Sequence, residues 1–158
     1  MLDSVDIAIL TLLQEDCTIP VAEIGKQVGL STTPCWRRIQ NLEASGVIES
    51  RVALLDAQKV NVGVTVFVFI STREHTKDWL ERFHKAVEEL PEIVEFYRMS
   101  GQVDYLLRLV VSDIAHYDAV YKKLISRVEL SDVSSSFAME QIKYTTKLPL
   151  EFAVADKK

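Results

Sequence analysis

The spacing of the apolar residues changes once along the chain, at Gly46. Before it, apolar residues recur at helical spacing. After it, runs of alternating strand character are separated by amphipathic helices. A chain patterned this way divides into a small helical unit followed by a mixed α+β unit. Asp3 or Ser4 can cap a first helix that runs to about Glu15, with Val5, Ile9, Leu12 and Leu13 on one side and Leu10 nearby. Asp16, Cys17 and Thr18 read as a loop. A second helix starts near Pro20, carries Val21, Ile24 and Val28 on its apolar face, and ends at Gly29. Ser31 then offers a hydroxyl as N-cap of a third helix, and Pro34 falls in its first turn, where no helical donor is lost. Two short helices joined by a tight turn containing Gly form the helix-turn-helix pattern; an ordinary three-helix bundle has the same outline.

The third helix separates its residue types by face. Cys35, Ile39 and Leu42 make a narrow apolar stripe. Thr32, Thr33, Trp36, Arg37 and Gln40 point elsewhere and are the candidates for contact with a DNA groove. Arg pairs with guanine, Gln with adenine, and Thr meets a thymine methyl. Ser31, Lys26, Arg38 and Arg51 are placed for phosphate contact, which positions without specifying. Two alternatives stay open: Trp36 as a core residue, and Arg38 in an intramolecular salt bridge to Glu43 or Asp3. The formal net charge of -5 argues mildly against a nucleic-acid binder, since neutralised phosphates supply most non-specific affinity. A few local cations are enough to answer that objection. Cys35 has a helix N-terminus and cations nearby, which favour a reactive thiol. It also belongs to the apolar stripe, so the reading is a buried structural thiol.

Beyond Gly46, residues 47–55 have strand propensity and one cation, Arg51, and are expected to form a short β-ribbon or wing. Residues 56–63 read as a linker. Val64 to Ile70 is an apolar strand; Asp78 to Leu90 is a helix; Glu92 to Met99 and Tyr105 to Val111 are strands; Ala115 to Arg127 is a helix; Val133 to about Tyr144 is a last strand. The expected fold class is α+β, a winged helix-turn-helix domain (residues 1–55) joined to a βαββαβ ferredoxin-like domain (residues 64–150), with a tail at 151–158. In the first strand Val64, Val66, Val68 and Ile70 point one way, and Thr65, Phe67 and Phe69 the other. A sheet covered by helices on one face should be polar on its second face. This second face is apolar, so a second copy of the chain is the expected cover, giving a homodimer with two reading helices.

The residues Leu2, Asp3 and Asp6 with Ile9-Leu10, Val28 to Ser31, Arg38-Ile39, Leu42-Glu43, Gly46 to Ile48, Ser100-Gly101 with Asp104 to Leu107, and Lys147 to Leu150 together resemble the Lrp/AsnC family of bacterial and archaeal transcriptional regulators. The resemblance covers essentially the whole chain. Thr32 to Trp36, Val52 to Asp56, Ser131 to Val133 and Ser135 to Thr146 are similar to the DecR-type subgroup, whose members respond to L-cysteine and activate a cysteine-degrading desulfidase. The family implies an N-terminal helix-turn-helix that binds operator DNA, a C-terminal effector-binding (RAM) domain, dimers that assemble into octamers, and a small amino-acid effector bound in a cleft between dimers. It places that cleft at the loop that here holds Met99, Ser100, Gly101, Gln102, Val103, Asp104 and Tyr105, with Ser134, Ser135 and Ser136 as polar contacts from across the interface. Gly101 can expose backbone N–H groups to a carboxylate, and Asp104 can accept from an ammonium. A plain hairpin turn capped by Asp104 is the alternative.

A non-enzymatic, cytoplasmic regulator is therefore expected, without cofactor or membrane segment. Two cysteines without a CxxC motif fit a reduced compartment, and the N-terminus lacks signal-peptide character. His75, His84 and His116 share no face at metal-ligand spacing, so no metal site is expected. The competing readings are a leucine- or methionine-responsive regulator, and a ligand-binding ferredoxin-like domain without a DNA role.

Overall fold

The computed structural model describes residues 2–74 and 76–153. The chain forms two compact units: Met1–Ala53 with Lys143–Lys158, and Leu54–Ile142. His75 and residues 154–158 of the expected tail lie outside the described residues.

The helical unit contains α1 (Ser4–Glu15), α2 (Val21–Val28) and α3 (Thr32–Ala44). Asp3 caps α1 with a full capping box: its carboxylate accepts the N–H groups of Val5 and Asp6, and Asp6 accepts the N–H of Asp3. Pro20 is the N-cap of α2 and not its first helical residue, and its carbonyl accepts from Glu23 and Ile24. Gly29 ends α2 at φ +73°, a conformation that costs a side-chain-bearing residue strain. Its neighbour Leu30 returns an N–H to the carbonyl of Gly25 at 2.8 Å. That closure sets the turn into α3. Ser31 is the N-cap of α3 through its carbonyl, which Cys35 N–H reaches at 3.2 Å; its hydroxyl makes no capping bond, contrary to expectation. Ile9, Leu10, Ile24, Cys35, Ile39 and Leu42 are buried together, and Leu150, in a 3-10 turn at Leu150–Phe152, packs against them.

The second unit follows the expected order: β1 (Val64–Ser71), α4 (Lys77–Glu88), β2 (Ile93–Arg98), β3 (Tyr105–Val111), α5 (Ile114–Ile125) and β4 (Asp132–Phe137). The strands lie in the order β2-β3-β1-β4, with antiparallel pairs throughout, which is the split βαβ arrangement. Val66, Val68, Ile70, Leu107, Leu109 and Val111 are buried under Trp79, Phe83, Val120 and Leu124 of the two helices. Each such aliphatic side chain contributes roughly 1.5–3 kcal/mol on burial. Trp79, Phe83, Phe96 and Tyr105 form an aromatic cluster in this layer, and Trp79 Nε1–H donates to the Glu129 carbonyl at 3.0 Å. The second face carries Thr65, Phe67, Phe69, Leu106 and Val110, all half-buried, around an Arg108–Glu95 ion pair of 2.6 Å.

One expected strand is absent and one is shortened. Residues 47–55 form no wing, and β4 stops at Phe137 instead of Tyr144. Both stretches are largely exposed, and neither finds a ladder partner among the described residues. Strand propensity alone does not make a strand without one.

A Cβ at Gly25 would lie 2.8 Å from the Leu30 carbonyl oxygen, a backbone atom fixed by the α2–α3 turn. Gly25→Ala gains helix propensity of up to about 1 kcal/mol but forces the turn apart at about 1–3 kcal/mol. The expected outcome is a net loss of stability in urea unfolding, where a neutral or stabilising result would show the turn to be compliant.

Candidate nucleic-acid interface and ligand loop

Burial of Cys35, Ile39 and Leu42 turns the opposite face of α3 outward. Thr32, Thr33, Arg37 and Gln40 are exposed, and Trp36 is 51% exposed. The core alternative for Trp36 is thereby excluded. Arg37 makes no ion pair among the described residues, so its guanidinium can meet a partner without breaking a bond. Gln40 Nε2–H donates to Glu43 at 2.9 Å. Cys35 is fully buried and desolvation pushes its thiol pKa up, which favours the neutral, unreactive form.

The four expected phosphate contacts divide. Ser31 and Lys26 are exposed beside the reading face, and Lys26 pairs only with Glu23 of its own helix at 3.6 Å. Arg38 is otherwise engaged. Its Nη1 lies 2.7 Å from Asp3 and 2.7 Å from Asp6, so it clamps the N-terminus of α1 to α3. This realises the salt-bridge alternative through Asp3, with Asp6 as a second partner and Glu43 uninvolved. Arg38 is a positioning residue here because two carboxylates already occupy it. Arg51 is similarly tied, to Glu43 at 2.8 Å and to the Cys17 carbonyl at 3.4 Å.

The ligand loop links β2 to β3. Gly101 has φ +129° and open space around it, and Met99, Ser100 and Gln102 are exposed. Asp104 fastens the loop to the end of β1. Its carboxylate accepts Thr72 N–H at 2.7 Å, its N–H donates to Ile70 at 2.9 Å, and its carbonyl accepts Met99 N–H at 2.8 Å. One carboxylate oxygen is therefore spent on the chain after β1, and the hairpin itself is closed by the Asp104 backbone carbonyl instead of its side chain. Tyr105 does not line the loop; it is buried in the aromatic cluster, facing α4. Val103 is half-buried.

The three serines do not act as one group. Ser135 pairs with buried Val68 in the ladder and its hydroxyl meets that of Tyr117 on the helical side. Ser134 and Ser136 pair with Phe69 and Phe67 and so share the open face. Residues not among the expected site candidates complete this end of the sheet. Thr72, Arg73, Glu74, Glu129, Leu130 and Ser131 line a cavity of about 620 Å³, with Arg73 N–H donating to Ser131 Oγ at 3.1 Å. Only register, and no periodicity, could have brought the 72–74 and 129–131 turns together. Among the described residues no group of three or more His, Cys, Asp or Glu is placed to hold a metal ion, and no helix is long and apolar enough to cross a membrane.

Comparison with known proteins finds relatives for both parts of the chain. Residues 2–43 match the AsnC-type helix-turn-helix domain, and residues 65–148 match the Lrp/AsnC ligand binding domain. The chain is 56% identical to the glutamate uptake regulatory protein of Zymomonas mobilis, over 94% of this chain and 91% of that one. It is 51% identical to the DNA-binding transcriptional activator DecR of Escherichia coli K12, over 96% and 100%. An AsnC family transcriptional regulator from Agrobacterium tumefaciens superposes with a TM-score of 0.93 at 63% identity, covering 97% of this chain and all of that one. A Neisseria meningitidis transcriptional regulator in complex with L-Met superposes with a TM-score of 0.91 at 36% identity, covering 98% and 100%.

Two outcomes follow from the site geometry. Arg37→Ala is expected to lower affinity for a specific duplex by about 1–3 kcal/mol more than for random DNA, and equal losses in fluorescence anisotropy would remove it from base reading. The second concerns the clamp. The Asp6 N–H and then the Arg38 guanidinium hold the Asp3 carboxyl below its usual range. A depressed folded pKa stabilises above the unfolded value and is lost as pH falls through the folded one. The helical unit should therefore melt earlier as pH drops below roughly 4, and Arg38→Met should flatten that dependence. An unchanged slope in the variant would show that Arg38 does not clamp α1.

Proposed function

The chain belongs to the Lrp/AsnC family of amino-acid-responsive DNA-binding transcriptional regulators, and on that premise we propose that it is a homodimeric, cytoplasmic regulator whose effector is L-cysteine and whose targets are genes of cysteine metabolism. The observation that carries the DNA role is the geometry of α3. One stripe is buried in the helical core, and the opposite face presents Thr32, Thr33, Trp36, Arg37 and Gln40 to solvent. The cysteine assignment is supported by the 51% identity to DecR and by the motifs shared with that subgroup. The effector would sit against the Gly101 loop, with Gly101 N–H groups toward its carboxylate and the second oxygen of Asp104 toward its ammonium. Ser134 and Ser136 are the serines available to it; Ser135 is held by Tyr117.

A dimer, with further assembly toward an octamer, is supported by surfaces a lone chain leaves bare. Met139 and Ile142 are 96% and 89% exposed, and Val52, Leu54 and Leu55 are similarly uncovered. These extended stretches keep unpaired backbone groups beside apolar side chains, a combination that pairs with another strand. The open sheet face adds Phe67, Phe69, Leu106 and Val110. Two reading helices on one operator raise effective concentration and offset the weak positive charge of each.

A second reading is favoured by the 56% identical relative named for glutamate uptake: regulation of an amino-acid transport gene with glutamate as effector. One experiment separates the two. A thermal-shift screen of L-cysteine, L-glutamate, L-methionine and L-leucine is followed by operator binding with each. We expect L-cysteine to raise the melting temperature and to change operator affinity. A response to glutamate alone would transfer the assignment, and no preference for operator over random DNA would refute the regulatory role. Sedimentation is expected to give a dimer or a multiple of it, and a monomer would remove the second copy.

A further inference from the structure

The helical unit is discontinuous in sequence. The chain leaves it after Ala53 and rejoins it at Lys143. What the returning segment does there is specific. Gln14, in the last turn of α1, uses both ends of its carboxamide on one residue: Leu148 N–H donates to Gln14 Oε1 at 2.7 Å, and Gln14 Nε2–H donates to the Leu148 carbonyl at 3.2 Å. This imitates a β-bridge and only an amide can supply it, because a carboxylate has no hydrogen to donate. The adjacent Glu15 accepts from Lys147 Nζ at 3.0 Å. Leu150 then packs on the helical core, and Ala153 reaches a cavity of about 690 Å³ lined by Leu2, Leu42 and Val47.

These grips fall at the C-terminal end of α1, while Arg38 of α3 grips its N-terminal end through Asp3 and Asp6. A helix of 12 residues is a stiff rod about 18 Å long. It therefore links the returning segment to the reading helix. The polar grips are solvent-exposed, of the kind that opens and closes reversibly. Upstream, the same segment is the direct continuation of β4, which carries Ser134 and Ser136. Residues 139–146 between them form no helix or strand.

We propose that residues 147–152 are a strap whose closure on α1 holds α3 in its DNA-binding arrangement, and that a ligand at the Gly101 loop and β4 changes DNA affinity by shifting the strap between closed and open. The proposal rests on the regulatory reading above. It supplies a two-state element that ligand and DNA both bias, which is the physical requirement for coupling between separate sites.

The test uses the full chain and four proteins: wild type, Gln14→Glu, Lys147→Glu, and the charge swap Glu15→Lys with Lys147→Glu. Hydrogen exchange reads the strap and α1; anisotropy reads operator and random DNA, with and without L-cysteine. Gln14→Glu and Lys147→Glu should speed exchange over residues 147–152 and the end of α1, lower operator affinity about 3- to 10-fold, and bring the ratio of affinities with and without L-cysteine toward one. The swap should restore all three. Gln14→Glu is nearly isosteric, so it reports even where the charge reversal disturbs folding. Faster exchange with unchanged operator affinity overturns the strap, as does a swap that restores nothing. If wild type ignores L-cysteine while the variants still lose operator affinity, the effector assignment fails and the strap's control of DNA binding stands. If wild type does not prefer operator DNA, the regulatory reading and the strap fall together.

Discussion

A helix that reads DNA must be held along one side and left bare along the other. In this chain the held side is three residues wide: Cys35, Ile39 and Leu42. So narrow a stripe fixes the helix against sliding and rolling only if its neighbours are placed closely. Gly25 allows the α2–α3 turn to close over it, and Gly29 gives that turn its left-handed step. Arg38 adds a polar stay on the flank of the stripe, reaching two carboxylates at the start of α1. The arrangement uses a cation from the reading helix for internal support, which leaves Arg37 and Lys26 to meet an anionic partner. In a chain of net charge -5 that is a sparse supply per copy. Bulk electrostatic attraction to DNA is correspondingly weak, which puts more weight on the geometry of the exposed face.

The sheet unit follows a different logic. Its helices cover one face only, so the alternation of β1 sorts Val66, Val68 and Ile70 inward and Phe67 and Phe69 outward. At one end of this sheet three turns converge, and Asp104 ties two of them by accepting the Thr72 N–H. A ligand there would meet a loop whose backbone is already fastened, which limits the ordering cost of binding. Gly101 at φ +129° has open space around it, and one Asp104 oxygen is bonded to Thr72 N–H.

How much of this the sequence disclosed depends on the range of each interaction. The α3 stripe, the capped α1 and the βαββαβ order are local periodicities, and they were readable. Of the partners of Arg38, Asp3 is among the alternatives the sequence offers, while Asp6, 32 residues away, lies beyond any pattern in the helix itself. The wing and the extension of β4 were overread because β-propensity describes fitness for a ladder without supplying the neighbour. Tyr105 and Ser135 are a different kind of miss. Both are open to a parity argument: Tyr105 is in step with Leu107, Leu109 and Val111, and Ser135 with Val133. Counting by twos turns each toward the helices.

The Gln14–Leu148 contact spans 134 positions. Helices α1 to α3 contain all of their own turns and can form as soon as they emerge from the ribosome, whereas the segment that completes their unit is made only after the whole sheet unit. Synthesis therefore passes through an interval in which α1 exists without its grips at Gln14 and Glu15. Until residues 147–150 follow, the helical unit has its core and its Arg38 clamp but not the contacts of the returning segment.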